Sequence, residues 1–200
     1  IVKVFEYISG SWNQLGSTIN GLFDNDQEGW AVDINHDGTV VAMGAPQHGS
    51  TGRARIFQYN GSDWVQLGST IDGAHVQYRG WSISLNGDGT RVAVGDGTFT
   101  SGSTNTAVTV YEYIDGDWSK LGGTDVINQT NLGRTSGLSL NNDGTIVGMG
   151  FYNFNLVKVY QYSSSWSLIY NHDGTGEPSL GSSPWLGYSV SLNGAGTRFA

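Results

Sequence analysis

The sequence predicts an all-β fold, a β-propeller of four-stranded antiparallel blades. Three observations carry that expectation. A phrase of about fifty residues returns along the chain, and each copy holds four β-type runs. The composition, with 31 Gly, only 3 Pro, 12% aromatic and 13% charged residues, suits many short strands joined by tight turns.

The repeat is legible in one phrase. Its first copy reads Gly29-Trp30-Ala31-Val32-Asp33-Ile34-Asn35-His36-Asp37-Gly38-Thr39-Val40-Val41-Ala42-Met43-Gly44-Ala45-Pro46, then runs through Gly52–Tyr59 to Asp63-Trp64-Val65-Gln66-Leu67-Gly68. The second copy opens Gly80-Trp81-Ser82-Ile83-Ser84-Leu85-Asn86 and runs through Asp88-Gly89-Thr90 and Val108–Tyr113 to Asp117-Trp118. The third is looser, with Ser136-Gly137-Leu138-Ser139-Leu140-Asn141, Asp143-Gly144-Thr145, Val157–Tyr162 and Trp166. Residues 2–16 match the second half of a copy and residues 187–200 the first half. The expected division is a half blade at 1–28, blades at 29–79, 80–134 and 135–186, and a half blade at 187–200. With Ile1 opening the sequence and a strand running into Ala200, a segment of a larger ring is expected.

In the first full copy the strands are expected at about 30–35, 39–45, 53–59 and 63–68, rich in Val, Ile, Tyr, Phe and Trp as a packed pleated surface prefers. The first and second strands meet at Asn-x-Asp-Gly-Thr, where Gly supplies the positive φ of a tight hairpin. The third and fourth meet at Asn60-Gly61, Asp115-Gly116 or Ser9-Gly10, a second hairpin signal. Alternation in the third strand sends Arg55, Phe57 and Tyr59 to one face and Ala54, Ile56 and Gln58 to the other. A sheet that is apolar on both faces needs a neighbour on each side, and radial stacking provides both. A β-solenoid coil is usually shorter, and a β-sandwich does not repeat its sequence.

Charge and cysteine narrow the function classes. A net charge of −8 with nine Lys and Arg spread along the chain argues against nucleic acid, which needs clustered cations. No cysteine is present, so there is neither a disulfide framework nor a thiolate metal site. No apolar run approaches bilayer-crossing length, and direct membrane insertion is not expected.

The opening Gly29-Trp30-Ala31-Val32-Asp33-Ile34-Asn35-His36-Asp37-Gly38, followed by Met43-Gly44-Ala45-Pro46, resembles the FG-GAP repeat of integrin-α-type propellers. The fuller phrase also resembles repeats of large secreted and surface proteins of marine bacteria and algae. The resemblance spans essentially the whole chain, although Gly95-Asp96-Gly97 and Gly150-Phe151-Tyr152 replace Gly-Ala-Pro in the later copies. It implies a seven-bladed ring, an extracellular or cell-surface location, and a cation loop beside the Gly-aromatic opening.

The resemblance implies that a calcium site, where present, places oxygen ligands at alternating positions of a short turn, as a hard cation favours oxygen. Asp33, Asn35 and Asp37 fit positions one, three and five, but the acidic ninth position is Val41, so the loop is a weak, degenerate calcium site at best. The later copies offer Ser84, Asn86 and Asp88, then Ser139, Asn141 and Asp143, and Ala195 replaces the last Asp in the fourth. These turns are read chiefly as hairpins held by Asx hydrogen bonds, and no other cofactor is expected. Trp12, Trp64, Trp118 and Trp166 recur on the fourth strand, and they, with Trp30 and Trp81, are expected to pack between blades. His36, His48, His75 and His172 are read as surface loop residues, and the acidic run Asp24–Glu28 as a solvated connector. Asn60 and Asn128 head N-glycosylation tripeptides.

The sequence holds no Gly-x-Ser-x-Gly, His-Glu-x-x-His or Gly-x-x-x-x-Gly-Lys motif, and no enzymatic activity is expected. The leading expectation is a non-catalytic extracellular scaffold or adhesion module, a secreted or surface glycoprotein that binds protein or glycan through loops on one face. Its variable loops are 46–52, 96–106 and 151–155. A subunit of a surface filament, packed against copies of itself or neighbouring domains, is a second reading. A propeller hydrolase or lyase is a third, with Asp33 as the one acid on the innermost strands.

Overall fold

The computed structural model describes residues 1–74, 78–97, 105–130, 132–174 and 185–200. Its regular structure is almost entirely antiparallel β. Strands β1 (Phe5–Ile8) and β2 (Ser11–Gln14) form a lone hairpin. A second sheet runs β3 (Val32–Ile34), β4 (Val40–Ala45), β5 (Arg53–Tyr59), β6 (Trp64–Gln66), with β7 (Ile71–Asp72) returning to β5. A third runs β8 (Ser82–Leu85), β9 (Arg91–Gly95), β10 (Asn105–Ile114), β11 (Asp117–Lys120), with β12 (Ile127–Thr130) returning to β10. The last described sheet holds β13 (Gly137–Leu140), β14 (Ile146–Phe151), β15 (Leu156–Tyr162) and β16 (Trp166–Asp173). The returning pieces β7 and β12 are additions that the fifty-residue phrase does not announce, because they fall in its variable connectors.

Register repeats with the sequence. Tyr7, Tyr59, Tyr113 and Tyr162 lie opposite Trp12, Trp64, Trp118 and Trp166, so each third strand meets its fourth at the same pair. The faces divide as alternation predicts. Phe57 packs with Val4, Val41, Met43 and Trp64 on one side of its sheet, and Arg55 stacks over the Phe57 ring. Ala54 and Ile56 join Ile83, Leu85, Val92 and Tyr111 on the other side, which is the next sheet's face. A further cluster, with Val108, Val110, Val147 and Met149, joins the third sheet to the fourth.

Three repeated polar contacts accompany this apolar packing. Along the first strands, Asp33 Oδ2 accepts from Leu85 N–H at 2.7 Å, Ser84 Oγ from Leu140 N–H at 3.1 Å, and Ser139 Oγ from Leu192 N–H at 3.0 Å. Along the first turns, His36 N–H donates to the Gly87 carbonyl, Gly87 N–H to Asn142, and Asn142 N–H to Gly194, a ladder that runs from blade to blade. At the fourth strands, the indole N–H of Trp64 donates to Leu15 O at 2.8 Å, Trp118 to Leu67 O at 2.7 Å, and Trp166 to Leu121 O at 3.4 Å. The Asp before the Trp adds a second grip, since Asp63 accepts from Ser17 N–H and Asp117 from Ser69 N–H.

The glycine openings have a steric cause. A Cβ on Gly44 would lie 2.0 Å from the Gly80 carbonyl oxygen, and one on Gly150 equally close to that of Gly187. Backbone thus touches backbone where the second strand of one blade meets the opening of the next.

Candidate functional site

Because the strands alternate in direction, each blade has two unlike ends. The short hairpin turns, such as 35–39 and 60–63, gather at a turn end. The connectors into the first strand and the second-to-third loops gather opposite, at a loop end.

The predicted cation residues lie at the turn end, where the side-chain oxygens of Asp33 and Asn35 are engaged. Asn35 Oδ1 accepts from Thr39 N–H at 2.8 Å and Val40 N–H at 2.9 Å. Asn141 and Asn193 make the same pair of bonds, and Asn86 accepts from Arg91 N–H. Asp33 accepts from Ile34 N–H through Oδ1 and from Leu85 N–H through Oδ2. Burial pushes its carboxyl above the ordinary value, and these backbone donors oppose the rise. Asp37 is exposed, and Val41 at the ninth position is buried. A cation held by Asp33, Asn35 and Asp37 would have to displace backbone donors that join strands and blades.

Of the sequons, Asn60 is exposed at the β5–β6 turn, where its Oδ1 accepts from Ser62 N–H, Ser62 Oγ–H and Asp63 N–H. Asn128 is exposed on β12, and its Nδ2, the atom a glycan would take, donates to Asp125 at 3.0 Å. The fourth-strand indoles fill the role expected of them where a preceding blade is present, Trp64 being 8% exposed. Trp30 departs from expectation. It is 51% exposed and lies against Trp81 at 4.8 Å between ring centroids, so it forms surface at the loop end instead of core.

Further aromatic groups stand at the same end. Arg134 places its guanidinium 4.7 Å from the Trp81 ring. Beyond it, Tyr152, Trp185 and Tyr188 touch one another at 5.4 to 6.2 Å, and Trp185 and Tyr188 are each 59% exposed. Phe23 is exposed above His48 at 5.3 Å. It also lines an open cavity of ≈ 670 Å³ with Ile1 and its neighbours in 20–28.

Ion pairs that no motif foretold lie among these groups. Asp26 and Glu28, expected to be solvated, are buried: Glu28 binds Arg55, and Asp26 Oδ2 lies 2.6 Å from His48 Nδ1. An arginine can only donate, and Arg53 Nη2 reaches His48 Nε2, so the His48 proton is fixed on Nδ1, facing Asp26. His48 is thus a bridge between charged residues instead of a free loop residue. Arg79, Asp96 and Tyr111 form a second buried set, with Arg79 Nε donating to Asp96 Oδ1 at 3.1 Å and Nη1 donating to Tyr111. Asp96 also accepts from Ala107 N–H. Burial pushes its carboxyl up to about 6 against the pull of Arg79. His75 lies outside the described residues, as does most of the 96–106 loop.

Among the described residues no three His, Cys, Asp or Glu side chains converge as a metal set. No family model and no curated protein matches the sequence. Solved structures do match. A candidate 6-phosphogluconolactonase of Bacteroides uniformis aligns at TM-score 0.60 and 11% identity, over 86% of this chain and 47% of its own. The RRP9 WD40 repeats align at TM-score 0.53 and 11% identity, over 84% and 43%. A chain of the mitotic checkpoint complex aligns at TM-score 0.55 and 15% identity, over 100% and 53%. The fold is a β-propeller. This chain spans about half the length of the propellers it matches. Its blades carry a sequence signature of their own, and the FG-GAP likeness rests on that signature alone.

Proposed function

We propose that this propeller is a non-catalytic scaffold that binds a protein or glycan partner at its loop end, in an extracellular or cell-surface setting. The observation that carries the reading is the set of half-exposed rings there, Trp30, Trp185 and Tyr188, the connector before Trp30 being held by the Asp26–His48 and Glu28–Arg55 pairs. Flat rings offer stacking area at little entropic cost, which suits a pyranose face or a partner's apolar side chain. The paired state of Asp26, Glu28, His48 and Asp96 supports a structural role for the buried charges. The Gly29-Trp30 opening with Gly44-Ala45-Pro46 supports a repeat of the FG-GAP type, and the exposed sequon at Asn60 supports the extracellular setting.

Immobilised chain probed with arrays of oligosaccharides and of surface-protein ectodomains tests this. Trp30→Ala and Trp185→Ala should each weaken the binding found by about tenfold or more, while Asp37→Ala at the turn end leaves it unchanged. Equal binding by all three variants would place the site elsewhere.

A further inference from the structure

We propose that Asn60 is a self-modifying residue: the Gly61 nitrogen closes on the Asn60 side-chain carbonyl, ammonia leaves, and the turn between β5 and β6 becomes an aspartyl or isoaspartyl turn. The inference rests on the geometry of this turn and is independent of the loop-end reading.

Asn-Gly is the pair at which such ring closure is least hindered, because glycine has no Cβ to obstruct its own nitrogen. The chain holds four of them, at 20–21, 60–61, 86–87 and 193–194, and the fold sorts them. Asn86 is buried, its Oδ1 accepts from Arg91 N–H of the second strand, and the Gly87 N–H that would attack donates to Asn142 O of the next blade. Asn193 is held by its second strand in the same way, its Oδ1 accepting from Thr197 N–H and Arg198 N–H. At 20–21 the peptide itself is pinned, since Asn20 O accepts from Arg55 Nη2 at 2.8 Å and that guanidinium is paired with Glu28.

At 60–61 neither the peptide nor its nitrogen is held. Asn60, Gly61 and Ser62 are all exposed, and a Cβ on Gly61, at φ +95°, would meet nothing within 4 Å. Among the described residues Gly61 N–H donates to no acceptor and the Asn60 main-chain carbonyl accepts from no donor. The side chain has taken that carbonyl's place: Oδ1 accepts from Ser62 N–H at 3.0 Å, Ser62 Oγ–H at 2.9 Å and Asp63 N–H at 2.9 Å. Two of these are backbone N–H groups, which can face only an oxygen, so the amide orientation is fixed. Bonds to the two residues just past Gly61 keep the carbonyl folded back over the nitrogen it must meet. They also place donors where negative charge would develop on Oδ1 during attack.

In the step, Gly61 N gives its proton to solvent and bonds to Asn60 Cγ, while the carbonyl electron pair moves to Oδ1. That pair returns to expel Nδ2, which takes a proton from water and leaves as ammonia. Water then opens the imide ring. Cleavage of the new Cγ–N bond gives an ordinary aspartyl residue. Cleavage of the original main-chain bond gives an isoaspartyl residue, with Cβ and Cγ inserted into the backbone at the turn that sets Tyr59 opposite Trp64. Water is the one co-reactant. Nδ2 is also the atom a glycan would take, so glycosylation of Asn60 and this conversion exclude each other.

The intact, unglycosylated 200-residue chain, incubated at neutral pH and then cut after its arginines, tests the proposal. Fragment 56–79 carries Asn60 as its one Asn and fragment 80–91 carries Asn86 as its one Asn, so fragmentation mass spectrometry reads the two sites apart. In the folded chain Asn60 should exchange NH2 for OH about tenfold or more faster than Asn86, whose reaction must wait for blades to part. The converted 56–79 fragment should separate into two isomers of equal mass. In chain kept unfolded in guanidinium chloride the two rates should converge. Asn60 left intact in the folded chain while it converts in the unfolded one would overturn the proposal. So would equal rates at Asn60 and Asn86 in the folded chain, or a product of one isomer alone.

Discussion

An alanine methyl at position 68 would lie 2.8 Å from Trp118 Cδ1, on a backbone at φ +70° that side chains other than glycine avoid. The same geometry joins Gly16 to Trp64. The Leu15-Gly16 and Leu67-Gly68 pairs are thus the receiving half of the indole clasp, the Leu carbonyl taking the N–H and the Gly making room for the ring. Gly68→Ala should lower stability by about 2–4 kcal/mol, from left-handed strain plus overpacking, as read in a urea melt. Asp96 gives a second residue-scale expectation. Its folded-state value of about 6 lies above the 3.8 of an unfolded Asp, so the folded state holds the proton more tightly across that window. Stability relative to Asp96→Asn should therefore be highest near pH 4, fall as pH rises to 6, and level off above 7. Thermal melts of both proteins across that range check the sign. Neither role was readable from the sequence: the clasp needs the next blade, and the Asp96 ion pair joins two variable connectors.

At the scale of elements, the first hairpin turn was legible because its chemistry is local. Asn-x-Asp-Gly-Thr specifies both the left-handed glycine and the Asn oxygen that accepts from the second strand. Asn86 is buried, and its Nδ2 also donates to Asp88 and to Asn142 of the next blade. Asn86→Ala should cost about 2–3 kcal/mol, seen as a lower unfolding midpoint, because it leaves buried backbone groups without partners. The strands were legible for the same reason of short-range alternation. Trp30 was not, because the indole repeats at the register of Trp81 while its exposure depends on what stands before it. Two charges of the acidic run 24–28 misled in the opposite direction: Asp26 and Glu28 look solvated in sequence, and His48 and Arg55 reach them only once the sheet forms.

For the whole molecule, the fifty-residue period maps onto a period of contacts. Each blade offers the next an acceptor on its first strand, a carbonyl for the indole and a glycine to lie against. Stability in such an array is carried by the nearest-neighbour interfaces, and the same logic places the aromatic groups at the loop end, where the repeat is most variable and least needed for stacking. Hydrogen exchange followed by NMR measures these interfaces directly. The amides of Leu85 and Leu140 and the indole N–H groups of Trp64 and Trp118 should exchange only with cooperative unfolding, while the indole of Trp12, 68% exposed, exchanges quickly. Fast exchange at Leu85, Leu140, Trp64 and Trp118, at the rate of Trp12, would contradict a propeller joined by one repeated set of blade-to-blade bonds.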